Sequence, residues 1–169
     1  MSDTIVYEST TGHVLGAIAT PGAGAGVPPV ADLVGTELPL WSGVDVTVPA
    51  ERLSAAAVVP TPGLLAGPLG FGVETVGGAP RSQLLRLATW GGGGVRLDAD
   101  GVTVSLPADV PDATPVLVVV AGEDGPVALL PARMTGRSLT LRLSLPDGDY
   151  VLLTLVTGYA GRLDPLTVG

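Results

Sequence analysis

The chain has 169 residues, of which 8 are basic and 16 acidic; its net charge is −8, its charged fraction 14% and its hydrophobic fraction 46%, against about 25% charged in an average soluble protein. Every basic residue is an arginine, and so few outnumbered cations argue against a nucleic-acid surface or an anionic membrane surface as partner. Cysteine is absent and His13 is the single histidine, which removes disulfides, thiolate zinc sites, cysteine nucleophiles and multi-histidine metal centres. The first residues lack a basic stretch leading into an apolar one, so no signal peptide is expected. The clearest apolar run, Val116 to Ala121, is far short of the roughly 20 residues of a spanning helix. A cytoplasmic or particle-associated chain with no membrane insertion is the expectation.

In chain order, Ile5 to Glu8 and His13 to Ile18 predict a hairpin around Thr10-Thr11-Gly12. Pro21 to Gly26 reads as a flexible link or extended arm. Val44 to Val48 alternates apolar and polar residues, the period of a half-buried strand. Glu51 to Val59, with Leu53 and an alanine triplet, is the best short-helix candidate. Leu85 and Leu87 flanking Arg86 favour a strand over Gln83 to Trp90. Residues 1–94 hold 17 of the 25 glycines and form a Gly/Pro-rich β segment with a hairpin and a possible assembly arm. Residues 95–169 read as a compact antiparallel meander, with both parts forming one structural unit.

The second part carries the stronger signals. Ser138 to Leu145 has leucine at every odd position and a polar residue at every even one, as a strand with one buried face requires. Val102 to Leu106 reads alike, whereas Val116 to Ala121 and Val151 to Leu153 are apolar on both faces and suit central strands. Turns are expected at Asp98 to Gly101, Gly122 to Gly125, Met134 to Arg137 and Pro146 to Asp149, with a longer link from Pro107 to Pro115; Asp and Gly supply the caps and positive φ of tight turns. About six strands in a meander imply an all-β fold, an antiparallel β-sandwich or barrel with at most one short helix. A strand, then Pro, then an acidic turn recurs at Val48 to Glu51, Leu106 to Asp109 and Leu145 to Gly148, and proline there ends the ladder.

The segment Leu145-Pro146-Asp147-Gly148-Asp149-Tyr150-Val151-Leu152-Leu153-Thr154, followed by Gly158-Tyr159, resembles the recurring strand of prealbumin-like β-sandwich modules of the carboxypeptidase-regulatory and collagen-adhesin B types. The resemblance implies that the tyrosine packs on the sandwich while the Pro-Gly turn sets its register. Thr154 stands where that pattern has valine. Those families are mostly structural or binding modules, and the resemblance brings no catalytic residue with it.

Candidate sites each have two readings. Gly22 to Gly26 has the glycine content of a phosphate loop, but Val27-Pro28-Pro29 follows in place of a helix start, which favours a linker. His13 with Ser9 and Glu8 has hydrolase residue types but no nucleophile elbow around a serine. In an up-and-down meander every second turn lies at the same end. That gathers Asp98, Asp100, Glu123, Asp124, Asp147 and Asp149, either as solvated turn acids or as oxygen ligands for Ca²⁺. The other end holds Asp109, Asp112, Arg133 and Arg137, and such asymmetry can steer subunits head to tail. Trp41 and Trp90, with Arg133 and Arg137, are the interface candidates. The expectation is a non-enzymatic structural subunit of a large assembly, such as a virion, a phage-tail-like particle or another shell or tube. Its partners would be copies of itself or other subunits, and it would need no cofactor. A Ca²⁺- or glycan-binding β-sandwich module is the alternative. An enzyme working through carboxylates comes third, because no acid/base pair is set by spacing.

Overall fold

The computed structural model describes residues 2–20, 26–41 and 43–169, without the side chains of Thr20 and Trp41. The expected arm at Pro21 to Gly26 therefore lies, except for Gly26, outside the described residues. Two compact units appear, Met1–Leu38 with Val48–Ala88, and Pro39–Thr47 with Thr89–Gly169. The chain crosses between the units at Leu38/Pro39, Thr47/Val48 and Ala88/Thr89, and Trp90 belongs to the second unit's core.

The first unit begins with β1 (Ser2–Glu8) and β2 (Val14–Thr20). There follow α1 (Val30–Val34), then the paired strands β3 (Glu37–Trp41) and β4 (Asp45–Pro49), which lie mostly in the Pro39–Thr47 stretch of the second unit, and, again in the first, β5 (Leu53–Val58) and the two-residue strands β6 (Phe71–Gly72), β7 (Thr75–Val76), β8 (Ala79–Pro80) and β9 (Leu85–Arg86). Strand β1 is central, in an antiparallel sheet of order β2-β1-β5. Ile5 and Tyr7 point into a core shared with Val14, Ala56, Phe71 and Leu84. The expected hairpin is thus present. The helix expected over Glu51 to Val59 is not: a single 3-10 turn over Ala50–Arg52 leads straight into β5. Ala55 and Ala56 there lie opposite Val6 and Ile5. Ladder bonds and burial of Leu53, Ala56 and Val58 outweigh the helix propensity of alanine, a preference of well under 1 kcal/mol per residue. The one α-helix described is α1, which the sequence reading did not mark. Of the strand expected over Gln83 to Trp90, only β9 forms.

The second unit contains β10 (Gly94–Asp98), β11 (Gly101–Gly122), β12 (Gly125–Arg142), β13 (Gly148–Val156) and β14 (Arg162–Val168). All pairings among them are antiparallel. The first part of β11 lies between β10 and β12, and its last part between β13 and β12. Strand β14 pairs with β13, and β10 lies beside β14, so the sheet curls into a half-barrel. Val104, Val118, Leu152 and Met134 fill it. Val116 to Ala121 and Val151 to Val156 are buried on both faces, as apolar central strands should be. Tyr150 is buried in this core, and its hydroxyl donates to the Pro146 carbonyl at 2.9 Å, which pins the link before β13. The fold is all-β apart from α1 and short 3-10 turns. Among the described residues, no helix is long and apolar enough to cross a membrane.

One expectation about this unit is corrected. Pro107 to Pro115 and Met134 to Arg137 are not separate links but the middles of two long strands, β11 of 22 residues and β12 of 18. Proline's fixed φ is compatible with extended chain, so the prolines loosen the ladder without ending it. Pairing is irregular between Ser105 and Thr114. Ala113 and Gly136, at φ 58° and 73°, turn the hairpin there. Expected strands merge in pairs, leaving five rather than about six, and they do not run as a meander: β13 pairs with β11, not with β12.

Candidate interaction surface

That merger decides where the acidic residues lie. Asp98 and Asp100 flank the turn that starts β11, while Glu123 and Asp124 form the turn at its other end. The alternation of turns that would collect six carboxylates at one pole is therefore lost. Four of them still meet: Glu123, Asp124, Asp147 and Asp149 line one shallow depression beside Tyr150, because Gly122 lies opposite Tyr150 in the β11–β13 ladder. Asp149 accepts from the Thr167 hydroxyl at 2.6 Å. No arginine lines this depression. Asp98 instead pairs with Arg96 at 3.0 Å. Among the described residues, no three His, Asp or Glu side chains are arranged to hold a metal ion.

The turn Gly122-Glu123-Asp124-Gly125 opens directly into β12. This strand pairs with β11 along one side and, among the described residues, with no strand along the other. It carries Arg133, Arg137 and Arg142 and no acidic residue. All three arginines are exposed. Arg133 donates to the Ala113 carbonyl at 2.9 Å, which ties β12 to the bend in β11. Arg137 and Arg142 make no ion pair and no side-chain hydrogen bond among the described residues. Arg137 borders a shallow basin with Gly92, Ser105, Leu106, Pro107 and Ser138. Val127, near the start of β12, is 47% exposed. Arg133 and Arg137 were legible as candidates; Arg142 was missed, although the lack of any acid from 125 to 142 marks it too.

The aromatic candidates behave differently. Trp90 is buried and donates its indole N–H to the Ala160 carbonyl at 2.6 Å. Tyr159 packs against it at 6.0 Å between ring centroids, and the Arg162 guanidinium lies 5.1 Å from its ring centre. Trp90 therefore anchors the β13–β14 connection to its own unit's core and is not available as an interface residue. Trp41 ends β3, and its side chain lies outside the described part of the structure.

The hydrolase-type residues of the first unit are committed locally. Glu8 is fully buried, and its carboxylate accepts from Arg52 Nη2 at 2.9 Å and from the backbone N–H groups of Thr10 and Thr11 at 3.2 and 2.7 Å. His13 Nδ1 lies 3.0 Å from Thr11 Oγ1, and the Ser9 and Ser54 hydroxyls are 2.8 Å apart. These contacts lock the β1–β2 turn to β5. No family model matches the chain, and no curated protein or solved structure does either.

Proposed function

We propose that the chain is a non-enzymatic structural subunit that assembles with copies of itself, or with other subunits, through its β surfaces. The observation that carries this reading is the outer edge of β12, 18 residues long and, among the described residues, paired on one side only. Such an edge presents rows of backbone donors and acceptors that another chain can complete. A charged fraction of 14% adds to this, since interfaces between subunits are poor in charge at their centres. Val127, exposed on the same strand, would gain by being covered. A shell, a tube or a tail-like particle is the kind of object such a subunit would build. Light scattering and electron microscopy of the purified protein test the reading. Multimers or regular particles are expected; a monomer at micromolar concentration overturns it.

A further inference from the structure

We infer that the partner of the β12 edge is the acidic β11–β12 turn of a second copy, received by Arg137 and Arg142. The inference rests on the assembly reading above and names the contact that the assembly uses.

The edge is not uniform. Pro126 and Pro131 lie in the first half of β12, and a proline has no N–H to offer an added strand. From Met134 to Arg142 there is no proline, and past the bend at Gly136 the run from Ser138 to Arg142 pairs regularly with β11, so this half can accept backbone bonds beyond the bend. It also holds the uncommitted arginines. A strand edge guarded by cations repels another cationic edge and admits an acidic one. In a chain of net charge −8, β12 is a cationic element without a single acid, so its complement lies elsewhere on the molecule.

That complement is the turn at the opposite end of the same strand. Glu123 and Asp124 are exposed at the hairpin tip, with Asp147 and Asp149 beside them and no arginine in the depression. Within one copy the two charge sets do not meet: Glu123 and Asp124 immediately precede Gly125, and Arg142 closes the strand. Neither set has an ion-pair partner among the described residues. Between copies they fit in chemistry. The Arg137 guanidinium offers paired N–H donors to a carboxylate, and the Ser105 and Ser138 hydroxyls border the same basin. Because donor and acceptor are different surfaces, each copy retains one of each after binding. The contact is head to tail, and it propagates into a ring or a filament.

Two charge reversals test this. Arg137→Glu with Arg142→Glu makes both surfaces acidic; Glu123→Arg with Asp124→Arg, combined with Asp147→Asn and Asp149→Asn to remove the carboxylates beside them, makes both basic. Each variant alone is expected to assemble at least about tenfold more weakly than the wild type, a clear shift in apparent Kd. An equimolar mixture is expected to assemble again, since every contact then joins opposite charges. Wild-type assembly is expected to weaken as salt rises. Circular dichroism checks that both variants are folded, and the milder Arg137→Gln with Arg142→Gln, read in the same scattering assay, is expected to weaken assembly too. If the reversed variants assemble as the wild type does, or the mixture stays apart, this contact is wrong while the assembly reading stands. If the wild type itself is monomeric, both fall.

Discussion

Glu8 with Arg52, and Asp124 with Arg142, are the same two chemical types used in opposite ways. In the first unit the carboxylate is fully buried and fully committed, held by one guanidinium and two backbone N–H groups. In the second unit the carboxylates and guanidinium groups stand exposed at opposite ends of β12. A buried charge must be satisfied within its own fold, or the fold loses stability. An exposed charge costs its fold little, because water solvates it, and it stays free for another molecule. The arginine committed within its own fold and the arginines left exposed are thus different residues. Substitutions should separate them cleanly.

The largest effect is expected in the first unit. Glu8→Ala leaves Arg52 without its partner and the N–H groups of Thr10 and Thr11 without their acceptor. A loss of about 3–5 kcal/mol, the usual cost of breaking a buried pair, is expected in urea denaturation. The double substitution Glu8→Leu with Arg52→Met should recover part of that loss, because removing both charges removes the desolvation cost as well. Equal losses in the single and double variants would mean that the turn contacts, not the charges, carry the stability.

A smaller change of opposite sign sharpens the same point inside the second unit. Thr154 is fully buried on β13, and its hydroxyl has no hydrogen-bond partner among the described residues. A buried hydroxyl without a bond costs about 1–3 kcal/mol. Thr154→Val keeps the shape and removes the polar atom, so stability should rise by about 1 kcal/mol, seen as a higher midpoint at unchanged slope. A destabilised variant would mean that the hydroxyl is satisfied in solution by a water molecule.

Which of these features the sequence could disclose depends on their range along the chain. Alternation is local, so the leucines of Ser138 to Leu145 and the two-faced apolar run of Val116 to Ala121 were legible as strands. The Glu8–Arg52 pair joins residues 44 positions apart, and no local spacing announces it. Pro107, Pro111 and Pro115 read as a link because proline more often ends a ladder than bends one; only the pairing of β11 with β12 on both sides of the bend keeps the strand continuous. That single misreading moved Asp98 and Asp100 away from the other acids. At Glu51 to Val59, alanine's helix preference was visible and the neighbouring β1 was not. Arg137 was legible from the charge asymmetry between turns, while its basin depends on Gly92 and Ser105 arriving from elsewhere in the chain.

The smallest expected effect is the most informative about β12. Arg142→Gln should change stability by no more than about 0.5 kcal/mol, as exposed substitutions away from caps and cores do. Arg142 makes no ion pair among the described residues, and Gln keeps two of its three methylenes. The ladder bond opposite Gly101 belongs to the backbone and survives the change. A loss of 2 kcal/mol or more, well beyond that range, would mean that the guanidinium supports the half-barrel itself. The division between charges that hold the fold and charges left for a partner would then fail at the residue on which it most depends.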